Sequence, residues 1–225
     1  MGIHERKERE KERRRQQIMI AAKRVFSANG FAKSTMEDIA REAELSPGTI
    51  YLYFKNKDEL YASLSLRILQ YLNIRLKHVI NHKGLEPEEY VEALKQAMYD
   101  VYDFDPLIVI NMFQLQSSES VKNLSPELLS EIIELSQNSL GTMADIFEKG
   151  IKKGIFINHH PQAIADALWG MFSGLILWEE SKKLFHENKD HLKPNMEIAF
   201  ELFTRGIRLH QNPALLKDVA PPTPQ

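Results

Sequence analysis

Residues 18–61, IMIAAKRVFSANGFAKSTMEDIAREAELSPGTIYLYFKNKDELY, decide how this chain is read. Ile18, Ala21, Ala22, Val25 and Phe26 stand at i, i+3, i+4, i+7 and i+8, which is one buried stripe of a helix. Asn29-Gly30 stops that helix. Thr35, with Asp38 three residues on, forms a capping box for a second, short helix whose apolar face is Met36, Ile39, Ala40 and Ala43. Glu44-Leu45 turns the chain. Ser46 then caps a third helix with Pro47 at its first position, where the missing N–H costs nothing. Asn56 starts a fourth, with Glu59 in capping-box register, and Leu60, Leu64, Ile68 and Leu72 carry its apolar face to about Ile80.

Working outward, the same helical period continues. Five further helices are predicted near 86–103, 105–119, 125–153, 161–187 and 193–210. Each is opened by a proline pair: Glu86-Pro87, Asp105-Pro106, Ser125-Pro126, His160-Pro161 and Lys193-Pro194. Strand signals are scarce. The expectation is an all-α protein of about nine helices, with an N-terminal three-helix domain followed by a larger helical domain. Its expected divisions are a charged arm at 1–15, a frayed helix or disordered, the three-helix domain at 16–57, the larger domain at 58–211, and a disordered Pro-rich tail at 212–225.

Composition limits the function. The chain has 225 residues, 43% apolar, so a real core is available. It has no Cys, which excludes a thiol nucleophile and thiolate zinc sites. The longest apolar run, Ala167 to Trp178, is shorter than the roughly 20 residues that span a bilayer. With no signal-type segment visible, a cytoplasmic location is expected. The net charge of −2 hides an asymmetry: residues 1–57 carry 13 Lys/Arg against 8 Asp/Glu, the remainder 16 against 23. A basic front on an acidic body suits a polyanionic partner, although a solvated surface explains the charge equally well.

Three short helices with a tight turn between the last two form a helix-turn-helix pattern over 36–54. At 100° per residue, Ile50 and Phe54 face inward, while the outer side is centred on Gly48, Thr49 and Leu52 and flanked by Tyr51 and Tyr53. That face is nearly uncharged in a chain with 27% charged residues. Hydroxyls suit phosphates and base edges, Leu52 suits a thymine methyl, and Gly48 lets the backbone approach closely.

At this point the chain resembles the DNA-binding domain of the TetR family of bacterial repressors. The resemblance is carried by Phe26, Gly30-Phe31, Thr35, Ile39-Ala40, Ser46, Gly48, Ile50-Tyr51, Tyr53-Phe54, Lys57 and Leu60. It implies that Thr35 binds a phosphate at the start of the second helix. It implies a groove-facing surface of Ser46, Pro47, Gly48, Thr49, Tyr51, Leu52 and Tyr53, and a backbone phosphate held by Lys57. Lys33 and Ser34 are candidate extra phosphate contacts. Many relatives carry His where this chain has Tyr53, a departure that bears on base preference. Arg13-Arg14-Arg15 suits a minor-groove arm, but Glu5, Glu8, Glu10 and Glu12 dilute it and favour a solvated charge run.

The remaining expectations concern the larger domain. Ala163, Ala167, Gly170 and Gly174 form a small-residue stripe that permits close helix approach, with Phe172, Leu175, Met196, Ala199 and Phe203 as added area. The family pairs its last two helices across a dimer, so this stripe is the candidate interface. The alternative is an intramolecular core. Met98, Tyr102, Phe104, Met112, Phe113, Gln116, Phe147, Trp169 and Met171 are candidates, by residue type, for the effector pocket that the family's middle helices enclose. His78/His82 and His159/His160 lack a third ligand, so no metal and no cofactor is expected. The resulting expectation is a homodimeric repressor, released from operator DNA by a small apolar effector. An all-α enzyme and a helical scaffold are the alternatives. The enzyme lacks a nucleophile–base pair or phosphate loop. The scaffold has no need of an uncharged outward face on the third helix.

Overall fold

The computed structural model describes residues 2–82, 84–116, 119–182 and 191–209. Its elements are α1 (Ile3–Asn29), α2 (Met36–Glu42), α3 (Pro47–Tyr51), α4 (Lys57–Asn81), α5 (Pro87–Phe104), α6 (Pro106–Gln116), α7 (Pro126–Lys152), α8 (Pro161–Lys182) and α9 (Leu192–Ile207), with a 3₁₀ turn at Glu119–Asn123. Among the described residues the only extended pairing is a single bridge between Phe156 and Arg208.

Local chemistry sets the ends of the first four helices. Gly30 adopts φ 74° and its N–H reaches the Phe26 carbonyl, which closes α1. The Thr35 hydroxyl accepts from the Asp38 N–H at 3.1 Å, and Asp38 in turn accepts from the Thr35 N–H at 3.1 Å. Ser46 accepts from Thr49 N–H at 3.1 Å, and Asn56 from Glu59 N–H at 2.8 Å. The α2–α3 turn passes through Glu44 at φ 55°, a left-handed conformation that disfavours any side chain. Prolines occupy the first position of α5, α6, α7 and α8, as their lack of an N–H favours, whereas Pro194 is the third residue of α9.

Of the two forms expected for the charged arm, helical or disordered, the described residues take the helical one. From Ile3 onward the charged arm continues α1 without a break. Glu, Lys and Arg are good helix formers, and pairs one turn apart support them: Arg13 with Glu10 at 2.6 Å, Gln16 with Glu12 at 2.6 Å. Arg15 leaves the arm altogether, stacking 4.6 Å over the Phe54 ring and donating to Ser63 Oγ at 3.1 Å. The tail at 212–225 and the end of the predicted 161–187 helix beyond Lys182 lie outside the described residues.

Two packed regions result. In the head, Ile18, Ala22, Phe26, Ile39, Ile50 and Phe54 are buried together, each large side chain adding about 1.5–3 kcal/mol of burial. Tyr61 brings the first turn of α4 into this core, edge-on to Phe26 at 5.3 Å and against Phe31 at 4.4 Å, and burial pushes its phenol pKa up. In the body, α4 is the spine, packed on α5, α6 and α7, while α8 lies on α7 and α9 on α8. A buried amide, Asn73, ties α4 to α7 by donating to the Leu135 carbonyl at 2.9 Å and Ser139 Oγ at 2.8 Å. The end of α9 is pinned by Ile157 N–H to Ile207 O at 2.8 Å and Leu209 N–H to Ile155 O at 2.7 Å. The Phe156 ring fills the space where a Cβ on Gly150 would stand.

Candidate DNA interface

The candidate reading face is short. α3 has five residues, and Leu52 and Tyr53 extend it as a turn. Ile50 and Phe54 are fully buried, while Leu52 is 81% and Tyr51 49% exposed. Ser46, Pro47 and Gly48 are also exposed, and Tyr53 is half-buried against the head core. The half-buried Thr49 hydroxyl lies 2.8 Å from Ser46 Oγ, so the two hydroxyls form one unit at the start of α3. Leu52 gives this surface an apolar contact and the neighbouring hydroxyls give it polar ones.

Two candidates are repositioned. Ser34 is 2% exposed, and its hydroxyl donates to the Gly30 carbonyl at 2.6 Å, so it braces the α1–α2 turn and cannot reach a phosphate. Lys57 sends its ammonium inward. Nζ donates to Phe31 O at 2.8 Å and Ser34 O at 2.9 Å and lies 4.4 Å from the Phe31 ring centroid. Of its three protons, two are spent on that turn. Thr35 stays exposed, but its hydroxyl already donates to Asp38 at 2.8 Å. Lys33 is exposed.

Lys55 is a further candidate that the sequence alone does not single out. It is exposed, its ammonium has no partner among the described residues, and it follows the reading face directly. Lys55-Asn56-Lys57 puts two cations at the start of α4, and only packing tells that the second is engaged and the first free.

The body candidates divide in the same way. Met98, Met112, Phe113 and Phe147 are buried in the core. Phe113 makes an aromatic cluster with Trp169 at 5.5 Å and Phe172 at 6.1 Å, and Phe147 packs on Phe203 at 5.9 Å. Tyr102, Trp169 and Met171 are half-buried, and the Gln116 side chain lies outside the described residues. Between α4, α7 and α8 there is a cavity of about 20 Å³ lined by Leu69, Leu72, Ser139 and Trp169, enough for one water. Phe104 is not in the core: it is 53% exposed and stacks on Tyr71 at 4.7 Å.

On α8, Ala163, Ala167, Gly170 and Gly174 are exposed in one stripe that ends at Trp178, 62% exposed, with Leu175 half-buried beside it. On α9, Ile198 and Leu202 are exposed and Ala199 half-buried. Phe172 and Met196, named as added interface area, are instead buried within the protomer, and Phe203 turns inward to Phe147. The helical period puts them on the opposite side of α8 and α9 from the stripe.

Helices and turn together define a helix-turn-helix head on a larger helical body. The family model "Bacterial regulatory proteins, tetR family" matches residues 18–64. The chain is 30% identical to the fatty acid metabolism regulator protein of Bacillus subtilis over 138 residues, 61% of this chain and 68% of that protein. It is 27% identical to the transcriptional repressor NicS of Pseudomonas putida over 146 residues, 64% of this chain and 66% of that one. Among solved structures, the TetR family regulator PfmR of Thermus thermophilus superposes with a TM-score of 0.68 at 21% identity, covering 84% of this chain and 97% of that one. FadR of Bacillus subtilis, solved with stearoyl-CoA, superposes at 0.67 with 23% identity over 85% and 98%. The chain belongs to the TetR family. It is a DNA-binding transcriptional regulator, not an enzyme, and among the described residues no helix is long and apolar enough to cross a membrane.

Proposed function

We propose that the protein is a homodimeric cytoplasmic repressor whose two α3 faces enter successive major grooves about 34 Å apart. One observation carries this: the outward face of α3 is uncharged and open, with Leu52 and Tyr51 presented to solvent. Residues 16–57 act as the reading domain and 58–211 as the effector and dimer domain. Tyr51, Leu52, Tyr53, Gly48, Pro47 and the Ser46–Thr49 hydroxyl pair read or approach the bases. Lys33, Thr35 and Lys55 hold phosphates, and the third proton of Lys57 supplements them.

The dimer forms through the stripe Ala163, Ala167, Gly170, Gly174 and Trp178 together with Ile198 and Leu202. Small residues let the paired helices approach closely, and the large exposed ones supply buried area.

The effector is a small apolar molecule taken into the body between α4, α7 and α8, beside Trp169. The B. subtilis relative's role in fatty acid metabolism and the stearoyl-CoA in the FadR structure favour an acyl-bearing compound. Because the cavity there is small, binding requires the helices to part. α4 transmits that movement, since it runs from the core directly into the head. An effector that prefers the parted form then changes the spacing of the two α3 helices and releases DNA. Selection of bound fragments from genomic DNA with the purified protein is the test. A recovered pseudo-palindrome with half-sites one turn apart supports the reading, and sequence-independent recovery rejects it.

A further inference from the structure

A groove of about 800 Å³ runs between the head and the body, outside the small core cavity. α1 forms one wall with Ile20, Lys23 and Arg24. α4 contributes Arg67, and the corner between α5 and α6 contributes Phe104 and Asp105. Its size is within the range of small-molecule sites, roughly 300–1,000 Å³.

The floor is apolar and open. Ile20 is 50% exposed and Phe104 53%, two large side chains on opposite walls of one groove. Phe104 is held in place by its stack on Tyr71.

The rim charges are unequal. Lys23 is paired with the buried Asp105, which also accepts from the Ile108 N–H at the start of α6. Arg24 is paired with Glu42 at 3.2 Å. Arg67 is different: it is exposed, and its one partner among the described residues is neutral, Gln16 Oε1 at 3.2 Å. The groove therefore offers one guanidinium whose charge no carboxylate offsets, next to an apolar floor.

We propose that this groove binds an amphiphile with a single anionic head, a long-chain carboxylate, with its chain over Ile20 and Phe104 and its head on Arg67. Burying the chain supplies the drive, and the planar guanidinium fork matches a carboxylate with two parallel hydrogen bonds. A head with several phosphates needs several free cations, and Lys23 and Arg24 are already neutralised. The walls come from α1 on one side and from α4 and the α5–α6 corner on the other, so an occupant bridges head and body. This site is separate from the effector cavity beside Trp169 proposed above, and either can fail without the other.

The test is calorimetric titration of the full-length protein with sodium dodecanoate below its micelle concentration, against dodecyltrimethylammonium, whose alkyl tail is one carbon longer and whose charge is opposite. Dodecanoate is expected to bind and the cation to bind at least tenfold more weakly. Arg67→Gln should weaken dodecanoate tenfold or more, and Ile20→Gln several-fold, with thermal melting unchanged. If Ile20→Gln lowers the melting temperature, Phe104→Ala on the other wall takes its place. Equal binding of both detergents, no binding by the wild type, or affinity unmoved by the substitutions would overturn the groove. If that unmoved binding also quenches Trp169 emission, the ligand occupies the core cavity, and only the groove is lost.

Discussion

The outward face of α3 and the small-residue stripe of α8 both consist of uncharged residues, although the exposed Asp166 borders the stripe, and they are built in opposite ways. On α3 the exposed groups are large or hydrogen-bonding: Tyr51, Leu52 and the Ser46–Thr49 pair. On α8 they are nearly nothing, Ala163, Ala167, Gly170 and Gly174, until Trp178 closes the row. A face that must probe a groove needs side chains with shape and donors. A face that must admit a second helix at close range needs their absence. Loss of charge marks a contact surface, and side-chain size tells which kind of partner it takes.

The comparison can be broken most severely on α8. Gly170→Glu should drive the dimer to monomer in sedimentation and lower operator affinity on the order of 10²–10⁴-fold, because the second head no longer binds as a tethered unit. An intact dimer with that substitution would reassign the stripe to bare surface. Next in size is Lys57→Met. Losing two charge-assisted bonds to the Phe31 and Ser34 carbonyls should cost about 2–4 kcal/mol of stability in denaturant titration. The neighbouring Lys55→Ala should leave stability unchanged and flatten the salt dependence of DNA binding by about one unit of slope. On α3 itself, Tyr51→Ala should weaken specific operator binding by about 1–3 kcal/mol without affecting the melting temperature. The smallest effect is expected at the turn: Glu44→Gly relieves a left-handed residue and should raise stability by up to about 1 kcal/mol, read from the urea midpoint.

These contrasts explain what the sequence makes legible. The head is determined by interactions three or four residues long, such as Thr35 with Asp38, Ser46 with Thr49, and Asn56 with Glu59, so the caps can be read directly. The same holds for the proline starts of the body helices. What cannot be read is where a side chain goes once partners distant in sequence compete for it. Lys57 and Lys55 have the same chemistry, and only the position of Phe31, 26 residues upstream of Lys57, turns one inward. Ser34 is a local exception: its hydroxyl turns to the Gly30 carbonyl only four residues back, a contact that follows no capping pattern. In the body, Phe172 and Gly170 are two residues apart and face opposite ways, a distinction that needs the helix phase relative to α7 and not just the period. For the charged arm, composition argues against a core and leaves helix and disorder both open, and the helix forms because it grows from one already packed.

That uninterrupted α1 makes the head its own pointer. At 1.5 Å per residue its 27 residues form a rod of about 40 Å, of which the charged half stands clear of the packed domain. Any rotation of the head is magnified at its tip, where a swing of about 10° displaces the first turn by several ångströms. A spin label or dye at the exposed Glu8 would therefore report the angle of each head, and the distance between two such tips in a dimer would make the switch visible as a ruler reading.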